Sequence, residues 1–213
     1  MYSFIAQLLI PIIINMVIKK LPLGWTPPKK FKMPKLRFMD RSEKFKICLT
    51  KTLEFEGGKD DDPYDPGGRT AYGIIQTEYD KYRKAIGLPQ QDVWKISNYE
   101  IESIYYEGYW TPLKCDELPA GTDFVMFDYA VNSGLSRAIK HAQSVLYLKV
   151  DGIFGPKTLA ALKNADPIDF IDKLDDKRLS FLQGLSLWKR YGRGWGSRVK
   201  EGRSFAKSLV KKE

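Results

Sequence analysis

Ser42-Glu43-Lys44-Phe45-Lys46-Ile47-Cys48-Leu49-Thr50-Lys51-Thr52-Leu53-Glu54-Phe55-Glu56-Gly57-Gly58 is the stretch whose reading decides the fold. Ser42 is a suitable helix N-cap, and Phe45, Leu49 and Leu53 recur every four residues, the pattern of a helix with one buried face. Gly57-Gly58 ends it. Glu56 follows three residues after Leu53, so it falls on or beside the buried stripe. A carboxyl group held against apolar neighbours meets a desolvation cost on ionising. Its pKa therefore rises and it keeps a proton near neutrality, as a general acid must. From the helix pattern alone, an ordinary glutamate at a frayed helix end is the plainer reading.

The next segment changes that balance. Asp60-Asp61-Asp62-Pro63-Tyr64-Asp65-Pro66-Gly67-Gly68-Arg69-Thr70 concentrates acids, prolines and glycines in a turn-rich loop able to re-aim side chains. Cleaving a glycoside without a covalent intermediate needs a proton donor on one side and a carboxylate that activates water on the other. Asp65 is the best second carboxylate, and the Thr70 hydroxyl is placed to help hold the water. Calcium fits poorly, because a hand-type loop counted from Asp60 puts Ala71 where a bidentate glutamate is required. No metal site and no cofactor are expected.

Downstream the chain reads as helices separated by short breaks. Ser97 with Glu100 is a capping-box pattern ahead of Ile101, Ile104, Tyr105 and Tyr109. Thr122 opens a helix with Phe124, Phe127 and Val131 as its stripe and Gly134 as its stop. Asp128 and Asn132, four apart, share a face of that helix. They are candidates for sugar hydroxyls or amides, and equally for a polar pair tying the helix to the active-site loop. Val150-Asp151-Gly152-Ile153-Phe154-Gly155 is a tight turn, and Pro156 suits the first position of a helix over 157–163. A long helix is predicted from Pro167 to about Arg190, with another from Trp195 to Lys211. Among Trp110, Tyr129, Trp188, Tyr191 and Trp195, one or two are expected to stack on sugar rings and the others to be core.

Composition narrows the function classes. With 213 residues and 43% apolar content the chain can build a sizeable core. Its net charge of +9 is uneven: residues 1–46 hold ten Lys/Arg against two acids, residues 188–213 nine against two, and the middle carries −6. Basic ends on an acidic body suit an anionic surface such as lipid headgroups or the cell wall. No nucleic-acid motif accompanies the charge, and no nucleic-acid partner is expected. Cys48 and Cys115 are read as buried free thiols, and the single histidine, His141, rules out a histidine-based triad or a multi-histidine zinc site.

Residues 1–18 form an apolar run closed by Lys19 and Lys20, and as a helix it reaches about 27 Å, barely a hydrocarbon core. It lacks the basic start and small-residue cleavage site of a secretory signal, so an uncleaved anchor is expected. The basic residues behind it predict that the following part stays cytoplasmic. The alternative is a segment packing against partner subunits, as in a virus particle. Residues 19–42, with four prolines among lysines, read as an extended linker.

The stretch Glu56-Gly57-Gly58, then Asp62-Pro63-Tyr64-Asp65-Pro66-Gly67-Gly68, Thr70 and Gly73-Ile74, resembles the signature of glycoside hydrolase family 108, the bacterial and phage N-acetylmuramidases. The similarity continues through Tyr109-Trp110, Phe127 to Gly134, Val150 to Pro156 and Gly192-Arg193-Gly194-Trp195, and covers nearly everything from Ser42 to about Leu209. Asp61 stands where the family often has Asn, and Ile75 where Thr is frequent. The order Glu56, Asp65, Thr70 is also similar to phage lysozymes that use a Glu-Asp-Thr trio.

The resemblance implies an all-α, lysozyme-like fold with a small hairpin or irregular loop near residues 60–76. It implies a muramidase domain over 43–133 and a helical peptidoglycan-binding domain over 134–213. Glu56 becomes the catalytic acid. The loop reading and the phage-lysozyme order set Asp65 and Thr70 beside it, and Tyr72, Trp110, Asp128 and Asn132 are candidates for substrate contacts on the reading of this sequence itself. The substrate is bacterial peptidoglycan, cut at the MurNAc–GlcNAc β-1,4 bond in phage lysis or entry. Residues 1–18 are outside the family pattern; from their apolar run and the lysines behind it, they are expected to attach the enzyme to an anionic membrane or to virion components while it acts on the periplasmic wall. Two rivals are a lytic transglycosylase and a non-catalytic, anchored wall-binding protein.

Overall fold

A computed structural model describes residues 42–60 and 69–210, so the expected apolar anchor, most of the linker and Asp65 lie outside the described residues. Helix α1 (Glu43–Glu56) begins as the sequence predicts, with the Ser42 hydroxyl accepting from the Phe45 amide, and it buries Phe45, Cys48, Leu49 and Thr52. Those positions lie three or four residues apart, the spacing that puts them on one face. The Gly57 N–H returns to the Leu53 carbonyl with φ at +78°, a conformation glycine adopts without a Cβ penalty.

Three two-residue strands follow: β1 (Lys59–Asp60), β2 (Thr70–Ala71) and β3 (Ile74–Ile75). They pair antiparallel in chain order, with Asp60 opposite Thr70 and Ala71 opposite Ile74. Between β2 and β3 stand Tyr72 and Gly73, both with positive φ, 51° and 76°. Two such residues make the primed turn whose twist matches a hairpin. Of the two forms expected near residues 60–76, the described part is therefore a hairpin.

Helices α2 (Gln76–Ala85) and α3 (Asn98–Tyr105) come next, and α3 carries the reciprocal Ser97/Glu100 capping box foreseen from the sequence. It continues into a π turn, Tyr106–Trp110. Helix α4 (Thr122–Ser133) is buried at every position, not only along the expected stripe. It stands among α1, α5 (Leu135–Val145), α7 (Pro167–Gln183) and α8 (Trp188–Leu209), which cover it on all sides. Helix α6 (Pro156–Asn164) starts with proline at N1, after a turn that the Gln143 side chain holds through Asp151 Oδ1 and the Gly152 amide. The two thiols are free and buried.

One cluster of buried side chains runs from Phe45 to Ala206, and a second, smaller one joins Leu182, Trp195 and Val199. The C-terminal helices also break elsewhere than the sequence suggests: α7 stops at Gln183, and α8 runs unbroken through Gly192, Gly194 and Gly196. Those glycines do not interrupt α8 because one of them is needed within it. A Cβ at Gly192 would come within 2.5 Å of the Trp188 ring, which folds back over that turn.

Helices α7 and α8 are also joined by charge. Lys207 reaches Asp172 at 2.6 Å, and Arg203 reaches Asp176 at 2.5 Å. Asp175 is less well served, since it is 1% exposed, its nearest cation is Arg203 Nε at 3.8 Å, and neither carboxyl oxygen accepts a hydrogen bond among the described residues. Burial pushes its carboxyl up to about 7, with Arg178 and Arg203 offsetting only part of the effect. The folded value lies above the ordinary 3.8, so the stability this group contributes is fully present below that value. It is lost as pH rises through about 7. Asp175→Asn carries no charge at any pH and should gain melting temperature relative to the parent as pH rises from 4 to 8. Thermal melts at stepped pH check this, and a difference that does not vary with pH would contradict it.

Candidate active site

Glu56 is the last residue of α1, and its side chain is only 5% exposed. The hairpin turn lies against it. A Cβ at Gly73 would stand 2.8 Å from Glu56 Oε2 and 2.9 Å from the Tyr105 hydroxyl, so only glycine leaves the carboxylate its room. The Tyr105 hydroxyl donates to the Tyr72 carbonyl at 2.7 Å, which fastens the positive-φ turn to α3. Tyr105 and Tyr109 stack with ring centres 5.9 Å apart. Burial raises both phenols, and the nearby Glu56 charge raises them further, so each keeps its proton. Tyr109 belongs to the π turn, a distortion frequent at functional sites.

On its other side Glu56 meets a cation. Arg198 Nη1, from α8, lies 2.7 Å from Glu56 Oε1. The same guanidinium donates through Nη2 to Asp128 Oδ1 at 2.7 Å and through Nε to Asp128 Oδ2 at 3.4 Å. Arg178, from α7, donates to Asp128 Oδ2 at 2.8 Å and to Asn132 Oδ1 at 3.1 Å. The Thr52 hydroxyl donates to Asp128 Oδ1 at 3.3 Å. Burial alone would raise the Asp128 carboxyl, but the charges of Arg198 and Arg178 outweigh it and hold it down at about 2. Arg198, though wholly enclosed, is held above the ordinary arginine range by Asp128 and Glu56.

Several expectations change here. The purely apolar pocket foreseen around Glu56 is instead a mixed one, with tyrosines and a glycine turn on one side and a guanidinium on the other. The helical stripe of α1 could not reveal this, since Arg198 comes from the far end of the chain. Trp110 is fully buried, edge-on to Phe45 and Phe127 at 5.3 and 5.4 Å, so it is core and offers no face to a sugar. Asp128 is likewise fully buried, and its oxygens are taken by α1, α7 and α8, so it ties helices together and does not line a groove. Asn132 leans on Arg178 but also borders a cleft. Thr70 is buried on β2 beside Trp94, whose indole donates to the Thr70 carbonyl, and Tyr72 is half-buried in the turn facing Tyr105. The hairpin thus carries Tyr72, whose N–H donates to the Gly58 carbonyl at 3.0 Å, and Gly73 to the end of α1.

The cleft has a volume of about 530 Å³ including its open mouth. Phe55, Asn132, Trp195 and Arg198 line it, with Glu54 and Glu201 also on its walls. Of the five aromatics considered for stacking, Trp195 borders this cleft, whereas Tyr129 is buried with its hydroxyl 2.7 Å from His141 Nδ1.

Comparison with known proteins fits this geometry. Residues 49–134, which include Glu56, the hairpin and all of α4, match the glycosyl hydrolase 108 family. The solved structure of Brucella abortus SagA is 35% identical over 79% of this chain and 97% of SagA, with a TM-score of 0.71. The chain belongs to the glycosyl hydrolase 108 family. It is a glycoside hydrolase, and a peptidoglycan hydrolase of the lysozyme kind. No curated protein matches it.

Arg178 and Arg198 are the residues of this family 108 site that the sequence reading does not name, while Tyr105 is read there only as part of a helix and Gly73 only as part of the family motif. The arginines did leave a signal. Arg198 lies at helical spacing among Trp195, Val199, Gly202 and Ala206, and Arg178 among Ile171, Leu174 and Leu182, all buried. A charge on the buried stripe of a helix must be paired inside the protein. For Gly73→Ala we expect loss of most glycan hydrolysis, because the methyl group meets Glu56 and the backbone is strained at positive φ. Rates of fragment release from purified peptidoglycan check this, and an unimpaired variant would show that the turn does not set the carboxylate's space.

Proposed function

We propose that this family 108 hydrolase is an N-acetylmuramidase that cleaves the MurNAc–GlcNAc β-1,4 bond by a single displacement. The observation that carries the reading is the seat of Glu56, a side chain 5% exposed at the end of α1, with Oε2 against the Gly73 turn and Oε1 against Arg198.

In this reading Glu56 protonates the oxygen leaving the muramic-acid anomeric carbon as that C–O bond breaks. Asp65 takes a proton from the water that forms the new C–O bond, and the Thr70 hydroxyl orients that water. Trp195 and Phe55 offer apolar surface for a sugar ring at the cleft. The helices after residue 134 would keep the enzyme on its wall polymer, with the basic charge of the chain's end matching anionic wall material.

Glu56→Gln is expected to abolish release of soluble fragments from purified peptidoglycan while leaving the melting temperature near that of the parent. Normal clearing by this variant would sink the assignment. The mass of the products separates hydrolysis from transglycosylation. A muramidase leaves a reducing sugar end, and Asp65→Asn should then stop the reaction. A lytic transglycosylase leaves an anhydro end lighter by one water, with Asp65 dispensable.

A further inference from the structure

Arg198 makes an unusual set of contacts for a residue at the far end of the chain. Each of its three guanidinium nitrogens faces a carboxylate oxygen: Nη1 that of Glu56, Nη2 and Nε those of Asp128. The side chain is 7% exposed and lies over the Phe55 ring at 5.3 Å. Leaving this seat to meet a substrate would strip Asp128 of one of its two cations and leave a buried charge less well compensated.

We propose that Arg198 is a positioning residue for Glu56, which makes α8 an obligatory wall of the catalytic centre; the inference rests on the reading of Glu56 as proton donor. Asp128 is the fixed point. Thr52, Arg178 and Arg198 hold it from α1, α7 and α8, and its two oxygens in turn clamp the Arg198 head in one plane. With Nε and Nη2 fixed, Nη1 has one place to be, and Glu56 Oε1 is there. Glu56 needs such a stop, because it ends its helix and is followed by Gly57 at positive φ and Gly58, where backbone restraint is weakest. Gly73 closes one side of the carboxylate and Arg198 the other.

The charge of Arg198 has a second consequence. When the proton leaves for the sugar oxygen, a carboxylate remains in a buried place, and the guanidinium already stands beside it to balance the new charge. The other groups facing Glu56 are the Tyr105 and Tyr109 hydroxyls from α3 and its π turn, with Asp128 of α4 behind Arg198. Arg198 is the cation in contact with Glu56 among the described residues. Lysine would keep a charge but not the fork, because one ammonium cannot reach both carboxylates in the same plane.

The test uses the full chain, purified peptidoglycan as substrate, and four variants: Arg198→Lys, Arg198→Gln, Arg203→Gln and Glu56→Gln. For R198K, kcat should fall about 10²-fold with the apparent KM on walls unchanged, the signature of a misplaced acid and not of lost binding. R198Q should lose more kcat than R198K, again with KM unchanged, since it also removes the cation that balances the carboxylate left when the proton departs. R203Q loses α7–α8 ion pairs on the same helix, so it should lower the melting temperature while leaving kcat in place. If R198K and R198Q lose activity only in proportion to their unfolded fraction, Arg198 is merely structural and the proposal fails. Should R198Q not fold, the split between kcat and KM in R198K decides. Full lysis by E56Q would overturn the proton-donor reading itself, whereas an inactive E56Q beside a fully active R198K overturns the positioning role alone.

Discussion

Asp128 is a charge buried at the centre of the molecule, and the arrangement of the long helices follows from what it takes to keep it there. Removing a carboxylate from water costs several kcal/mol even after relaxation, and the cost is tolerable only if opposite charges and donors sit at good geometry. Arg178 and Arg198 supply the charges and Thr52 adds a hydroxyl. These three come from α7, α8 and α1. A shift of any one of these helices against α4 would leave part of the charge uncompensated, so the ion network fixes their relative placement more sharply than apolar packing, which is non-directional.

The same network extends outward into the site. Glu56 is joined to it through Arg198, so the position of the carboxylate at the end of α1 depends on a residue of the last helix. The opposite wall is made differently, from absence of bulk. The turn between β2 and β3 brings backbone and a hydrogen atom, not a side chain, against the carboxylate, and the Tyr105 hydroxyl holds that turn by the Tyr72 carbonyl. One wall is therefore rigid through charge and the other through close packing of a glycine. Between them the carboxylate is held with Oε1 toward Arg198 and Oε2 toward Gly73.

Asp175 shows what happens to a neighbouring acid that the network does not fully serve. It lies on the same helix as Arg178, three residues before it, yet that arginine is committed to Asp128 and Asn132. Its carboxyl accordingly keeps its proton to about 7, where Asp128 loses its own at about 2. Two aspartates at similar burial differ by this much because one has two guanidinium groups within hydrogen-bonding distance and the other has none.

The sequence by itself determined what is local. The Ser42 cap, the stripe of α1, the Ser97/Glu100 box, the proline that starts α6 and the buried free thiols are all legible, because capping and three-to-four-residue periodicity involve neighbours along the chain. Glu56 was legible as a candidate acid for the same reason. Only the tertiary structure decided what surrounds it. Arg178 and Arg198 lie 50 and 70 residues from Asp128, and no periodicity joins charges at that distance. Trp110 was similarly undecided until Phe45 and Phe127 closed over it. An aromatic or charged residue is apolar surface, ligand or fastener according to what the fold brings against it, and that is set by long-range packing.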